Sequence, residues 1–211
     1  MLFRMRQHRL LFLTLLIFFI ATPLTAGSIL DLGDFHGSEV PARDGEEWLA
    51  LTCSGDSCIV VPTRVRVEPF MDMYDKPREK SGRQVSVPMP AEDVVMLIRD
   101  VPGVASGSVR TVPESDFDGN AMKFEGERYD LVASEEDGAV TLRSGRRAQA
   151  IGEGGYVWTV QWAGDLDRDG KLDFVVSYDG DNSWGLELFL SSLARPGEMV
   201  HRAAAIDHVG C

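Results

Sequence analysis

A nine-residue acidic run in the C-terminal half constrains the fold of this chain more than any other feature. It reads Asp165-Leu-Asp-Arg-Asp-Gly-Lys-Leu-Asp173, with carboxylates at positions one, three, five and nine and a glycine at position six. Calcium loops take side-chain ligands at those acidic positions and the backbone carbonyl of position seven, and the glycine permits the sharp turn. The spacing therefore predicts a metal site made by Asp165, Asp167, Asp169, the Lys171 carbonyl and Asp173.

The chemistry of this donor set favours calcium. The run offers only oxygen ligands, whereas zinc and copper sites normally include His or Cys. Magnesium keeps several waters and requires a tighter octahedron, so it suits a loop with this many protein oxygens less well. The alternative without a metal is a solvated acidic turn.

The segments on either side of the acidic run have the apolar patterns of strands. Residues 156–162 precede it and residues 172–177 follow it, with alternating or continuous apolar character. A helix-flanked EF-hand would need a glutamate at position twelve, which here is Val176. The run is therefore expected to connect two strands.

Residues 164–176, Gly-Asp-Leu-Asp-Arg-Asp-Gly-Lys-Leu-Asp-Phe-Val-Val, resemble the FG-GAP or VCBS type of repeat. Such repeats carry the calcium loops of integrin alpha-subunit propellers and occur in many exported bacterial proteins. The resemblance implies that Asp173 closes the metal site. The chain contains one full copy, because residues 116–120 lack the third acid and have the Asp-Gly signature of a hairpin turn. A multi-blade propeller is therefore not expected.

The N-terminal segment has the pattern of a signal peptide. Arg4, Arg6 and Arg9 precede an apolar run over residues 10–20, and small residues follow up to Gly27. We predict cleavage of residues 1–26, a mature chain from Gly27, and a periplasmic or secreted location. The apolar run is too short for a membrane anchor.

The acidic balance of the chain restricts its partners. The formal net charge is −12, and removal of three arginines and no acids with residues 1–26 makes it −15. Such a field repels nucleic acid and anionic membranes and suits cations, basic proteins or simple solubility.

The three cysteines leave their pairing open. Cys53 and Cys58 flank a short polar turn between strand-like segments, which favours a disulfide-clasped hairpin in an exported protein. Cys211 is the odd thiol, and it could instead pair with either of them, pair between molecules or stay free.

Strand patterns dominate the rest of the chain. Alternation is clear over residues 63–68, 129–132, 139–143 and 185–190. Helix candidates are limited to residues 91–100, which a strand would also suit, and residues 198–208. We therefore predict an all-β antiparallel sandwich or barrel-like single domain over residues 27–211, with the calcium-loop half at about 114–211.

The aromatic and imidazole side chains give weaker signals. Strict alternation predicts Trp158, Val160 and Trp162 on one buried strand face, whereas Trp184 in the polar 179–184 loop is expected to be exposed. The histidines beyond the signal peptide are scattered, so His36, His201 and His208 are expected at the surface, although Asp34 beside His36 could orient a general base.

No catalytic motif with fixed spacing is present in the sequence. We therefore expect an exported, non-enzymatic calcium-binding protein with a structural metal and a binding surface for a protein or glycan. The alternatives are a calcium-dependent hydrolase that uses the acidic groups, and a periplasmic inhibitor or immunity-type protein that neutralises a basic partner.

Overall fold

The computed structural model describes residues 27–37, 39–72 and 75–209. The predicted signal peptide and Cys211 lie outside these ranges. The described residues form seventeen strands: β1 Ser28–Leu30, β2 Gly33–Phe35, β3 Glu47–Ser54, β4 Ser57–Arg64, β5 Arg66–Phe70, β6 Gly82–Ser86, β7 Val94–Arg99, β8 Gly107–Thr111, β9 Phe117–Asp118, β10 Ala121–Phe124, β11 Glu127–Ala133, β12 Val140–Ser144, β13 Arg147–Gly152, β14 Val157–Asp165, β15 Asp173–Asp179, β16 Ser183–Leu190 and β17 His201–Val209. The helical segments are 3₁₀ turns at Ala91–Asp93 and Glu114–Asp116.

Nine of the strands form one curved antiparallel sheet. Their order is β1-β7-β3-β4-β8-β14-β15-β16-β17, and the two edge strands, β1 and β17, come back into contact. His208 near the end of β17 hydrogen-bonds Asp31 just after β1, with 3.1 Å between Nε2 and Oδ1. The sheet is therefore a nearly closed barrel, and the prediction of an all-β, barrel-like antiparallel fold is confirmed.

Two smaller antiparallel sheets accompany the barrel. One has the order β13-β12-β11-β10-β9, and the other the order β2-β6-β5. None of the described helical segments is long and apolar enough to cross a bilayer.

The buried side chains divide into two apolar clusters that share strands β14 to β16. The first lies inside the barrel and includes Trp162, Val175, Leu186, Leu188 and Ile206. The second lies between the outer face of those strands and the five-stranded sheet, and it includes Leu142, Trp158, Phe174, Val176 and Phe189. Because both faces of β15 and β16 are buried, residues 174–176 and 188–190 are continuously apolar where a one-sided strand would alternate.

A β-bulge in β14 separates the two tryptophans of that strand. Val160 is paired with Val176 and Trp162 with the preceding residue, Val175, so Gln161 between them has no partner on β15. The extra residue reverses the alternation. Trp158 therefore packs in the outer cluster and Trp162 inside the barrel. The expected burial of both rings is correct, but their placement on one face with Val160 is wrong.

The second helix candidate is also wrong. Residues 198–208 contain no helix, and β17 pairs with β16 along His201–Val209. Burial alternates along it, with Ala204 and Ile206 inside and Ala205 and Asp207 exposed, so sheet pairing overrides the helix propensity of the three consecutive alanines. Residues 91–100 follow the strand alternative, as one 3₁₀ turn and β7.

The local hairpin predictions are confirmed. Cys53 and Cys58 face each other across β3 and β4 and form a disulfide. The 116–120 segment forms the tight turn between β9 and β10, where Gly119 has a φ of +61°.

The bulge yields a test of the two-core architecture. We expect deletion of Gln161 to destabilise the protein by about 3–5 kcal/mol, comparable to loss of a large core side chain, because one strand segment would then present its residues to the wrong faces. Gln161→Ala keeps the bulge and removes an exposed side chain, so its free energy of unfolding should stay within about 0.5 kcal/mol of wild type. Urea denaturation of both variants provides the measurement, and equal stability of the deletion would contradict the assignment.

Candidate metal centre

The acidic run forms the connection between β14 and β15. β14 ends at Asp165 and β15 begins at Asp173, so the first and last carboxylates stand on strands. Gly170 has a φ of +87°, which its position in the turn requires. Arg168 is also left-handed, with a φ of +65°, and its guanidinium donates to the backbone carbonyls of Ala105 and Ser108, each at 3.1 Å. The predicted strand–loop–strand arrangement is present.

Three carboxylates of the loop converge. Asp165, Asp167 and Asp173 each offer one oxygen, and these oxygens lie within 4.8 Å of one another. The side chain of Asp165 is almost fully enclosed, Asp173 has no exposed surface, and Asp167 is half-buried. Solvated acidic turns do not bury their carboxylates, so the cluster differs from an ordinary surface turn. These three residues could hold a metal ion.

Asp173 is the most enclosed member of the cluster. Its Oδ1 accepts from the Ser191 N–H at 2.8 Å, and its Oδ2 accepts from the N–H groups of Leu166 at 2.8 Å and Asp167 at 3.4 Å. Burial, together with the nearby charge of Asp167, raises the pKa of the metal-free Asp173 carboxyl to about 7 despite these bonds. In the metal-free protein, burial therefore outweighs these hydrogen bonds and favours the protonated carboxyl.

Asp165 has a basic partner that the local sequence does not reveal. Arg110 on β8 stands directly across from Asp165 on β14, and its guanidinium lies 2.6 Å from the Asp165 Oδ2. This contact raises the pKa of Arg110. The Gly170 N–H lies 3.2 Å from both oxygens of Asp165. Arg110 also forms an ion pair with Glu125, with 2.5 Å between Nη1 and Oε1. Its guanidinium is therefore shared between Asp165 and a carboxylate outside the loop.

Asp169 and Lys171, the remaining predicted ligands, lie on the same loop. The Asp169 carboxylate accepts from the Ser191 hydroxyl at 3.0 Å and from the Lys171 N–H at 2.8 Å, and the Lys171 ammonium is 3.4 Å from it. Ser192 hydrogen-bonds Asp167. The direct ligand roles of Asp169 and of the Lys171 carbonyl remain predictions.

Three contacts around the loop escaped sequence reasoning: Arg110, Ser191 and Ser192. They lie between 18 and 55 residues from the acids they contact, and no local motif connects them. Ser191 and Ser192 directly follow the last residue of β16, so the loop is tied to the neighbouring strand as well as to its own. The order of the strands in the sheet brings all three residues next to the acidic loop.

The expectation of surface histidines fails for His208, whose side chain is 1% exposed. The His208 ring stacks on Trp184 at 3.6 Å and lies 4.8 Å from Phe35. His201 is partly exposed and contacts Glu198 at 3.0 Å. His36 is partly exposed and is bonded to Asp72, so the expected orienting acid, Asp34, is not the partner observed. Closure of the barrel buries His208.

A cleft of about 680 Å³ on the outer face of β15–β17 contains a second group of ionisable side chains. Burial raises the pKa of Glu187, whose Oε1 accepts a hydrogen bond from Nη1 of Arg202 at 2.7 Å. Tyr178 donates to Asp207, and burial together with this bond raises the pKa of the phenol. One oxygen of each carboxylate has a partner, whereas the buried Oε2 of Glu187 has none among the described residues.

The enclosed Asp173 carboxyl yields a pH prediction for the metal-free protein. A carboxyl whose folded pKa exceeds its unfolded value stabilises the fold when protonated, so this contribution is complete below about pH 4 and is lost as the pH rises through about 7. In the presence of a chelator, we expect the melting temperature to fall between pH 5 and pH 8, and Asp173 should account for on the order of 5 °C of that fall. Asp173→Asn cannot titrate and should lack that component. Parallel profiles for wild type and variant would contradict the assignment.

Comparison with known proteins assigns no family to this chain. It matches no protein-family model, no curated protein and no solved structure. The resemblance of residues 164–176 to FG-GAP or VCBS repeats therefore rests on those residues and remains a prediction. The site is defined by its own geometry, which is a loop between two barrel strands that encloses three converging carboxylates.

Proposed function

We propose that this chain is an exported, non-enzymatic protein in which one calcium ion has a structural role and the barrel presents a binding surface for a protein or glycan. The observation that carries the proposal is the convergence of Asp165, Asp167 and Asp173, two of them buried, in a loop with calcium-loop spacing. Export to the periplasm or beyond follows from the N-terminal pattern and provides abundant calcium.

The donor set fits a hard divalent cation. Its atoms are carboxylate oxygens, and the loop spacing adds Asp169 and the Lys171 carbonyl to the three converging acids. A bound ion would supply the positive charge that the enclosed Asp173 lacks. Calcium tolerates six to eight oxygen ligands and irregular geometry, so it suits a flexible loop better than magnesium does.

Binding at this loop would stabilise more than the turn itself. Asp173 accepts from Ser191 at the end of β16, and Asp169 accepts from the hydroxyl of the same residue. A cation that fixes these carboxylates therefore also fixes the β15–β16 pair at one end. The far end of that pair is joined by the turn at residues 180–182, and Trp184 on β16 next to this turn belongs to the proposed binding surface.

A hydrolase is the second candidate, and the outer cleft is the observation that favours it. Glu187 has a raised pKa. Asp207 on β17 pairs with Gly185, two residues before Glu187 on β16, so both carboxylates lie on the same face of the sheet. Raised carboxyl pKa values are typical of general acids. Against this, Glu187 is bonded to Arg202 and Asp207 to Tyr178, which leaves the buried Oε2 of Glu187 without a partner among the described residues. The non-enzymatic proposal is therefore preferred.

The structural role of calcium is tested by thermal melting. We expect millimolar calcium to raise the melting temperature by about 5–10 °C over chelator, since a ligand at a hundred times its dissociation constant stabilises by roughly 2.7 kcal/mol. Asp167→Asn removes one charge from a half-buried position and should lose most of the shift. Magnesium at the same concentration should have a smaller effect.

A matched control is available in another Asp-Gly turn. Asp118 is exposed and precedes Gly119, but no metal cluster includes it among the described residues. Asp118→Ala should keep the full calcium response. If calcium leaves the wild-type melting temperature unchanged, the structural-metal proposal is wrong.

A further inference from the structure

The mouth of the barrel contains a cleft of about 590 Å³. Asp31 and the β7 residues Val94 and Val95 line it on one side, and Gln161, Ser177 and Trp184 line it on the other. Several strands of the sheet separate β7 from β15 and β16. A cleft that is lined by all three strands therefore spans the opening of the barrel. Barrel mouths are common places for small-ligand sites, and this volume lies within the range of such sites.

Trp184 forms a fixed aromatic platform at this cleft. It is paired across β16 and β17 with His208, and the two rings stack at 3.6 Å with an angle of 17° between their planes. His208 is in turn held by Asp31 on one side of the barrel seam and contacts Phe35. Trp184 itself remains 40% exposed. One face of its ring is therefore occupied by the protein, and the remainder is available to a ligand.

The remaining wall of the cleft combines apolar and neutral polar groups. Val94 and Val95 provide aliphatic surface, while the Gln161 amide donates to the Ser177 hydroxyl at 2.7 Å. The amide oxygen of Gln161 can still accept and the hydroxyl of Ser177 can still donate. The cleft thus offers neutral donors and acceptors beside an aromatic face.

The charges at the cleft exclude anions as the preferred ligand. Asp31 and Asp179 line it, and no Lys or Arg of the described chain does so. A phosphate or carboxylate ligand would face these acids without a compensating cation. An entirely apolar ligand would leave Gln161 and Ser177 desolvated without new partners, which costs free energy.

We propose that the barrel mouth binds a neutral sugar ring, with the apolar face of the ring on Trp184 and its hydroxyls on Gln161 and Ser177. A pyranose presents C–H groups on one face and hydroxyls at its edge, which matches this distribution of aromatic and neutral polar groups. The inference gives a ligand class to the binding surface of the proposed function. It does not require the metal, because no residue of the acid cluster lines the cleft.

Tryptophan fluorescence can report occupancy of this cleft directly. Of the four tryptophans, Trp48, Trp158 and Trp162 are at most 8% exposed, so acrylamide quenching should act chiefly on Trp184. The probes are glucose, galactose and N-acetylglucosamine with their linear oligomers, and tetramethylammonium as a cationic competitor. We expect at least one sugar to protect the fluorescence, with dissociation constants of about 1–10 mM for monosaccharides.

Variants connect the signal to the named contacts, with saturation-transfer NMR as the readout that does not require Trp184. Trp184→Ala should weaken sugar binding about tenfold, and Gln161→Ala about threefold. Trp158→Phe is the matched control: its indole N–H has no hydrogen-bond partner in the described chain and its ring packs in the other cluster, so binding should persist. Thermal melting confirms that each variant is folded.

The outcomes separate this inference from the metal proposal. Sugar binding in both chelator and calcium supports the cleft whatever the melting experiment shows. Absence of binding by every sugar at about 100 mM overturns the inference even if calcium stabilises the protein. Equal binding by wild type and Trp184→Ala, or protection by tetramethylammonium in preference to sugars, would also overturn it.

Discussion

The shared wall formed by β14 to β16 is the constraint on which the rest of this structure depends. Its inner face packs in the barrel core and its outer face packs against the five-stranded sheet, so most side chains on both faces are apolar. Phe174, Val175 and Val176 in β15 meet this demand with three consecutive buried residues. A wall of this kind cannot slip in register, because a shift of one residue would exchange the two cores.

The two candidate sites lie at opposite ends of this wall. Asp165 and Asp173 stand where β14 and β15 meet the acidic loop, whereas Asp179 and Trp184 stand where β15 and β16 meet the opposite loop. Strand β15 connects the two ends through a fully paired ladder. Under the proposed function, a cation at one end would stiffen the strands that carry the aromatic platform at the other, without any ligand shared between the sites.

Burial gives the acidic loop its chemistry. In water, carboxylates separated by one residue are screened and need no cation. Here Asp173 is enclosed by backbone N–H groups of Leu166, Asp167 and Ser191, and the loss of solvent raises its pKa to about 7. The same loop on an open surface would be only a polar turn. The fold thus converts an acidic sequence pattern into a group of three converging carboxylates that could hold a metal ion.

The sequence by itself determined the features that depend on near neighbours. The Asp-Gly turns, the Cys53–Cys58 hairpin and the strand–loop–strand form of the acidic run all follow from local backbone chemistry, and each is present. Tertiary structure alone decided the bulge at Gln161, the strand at residues 201–209, the burial of His208 and the contact of Arg110 with Asp165. These features depend on which strands become neighbours, and residues as far apart as Asp31 and His208 meet only when the barrel closes.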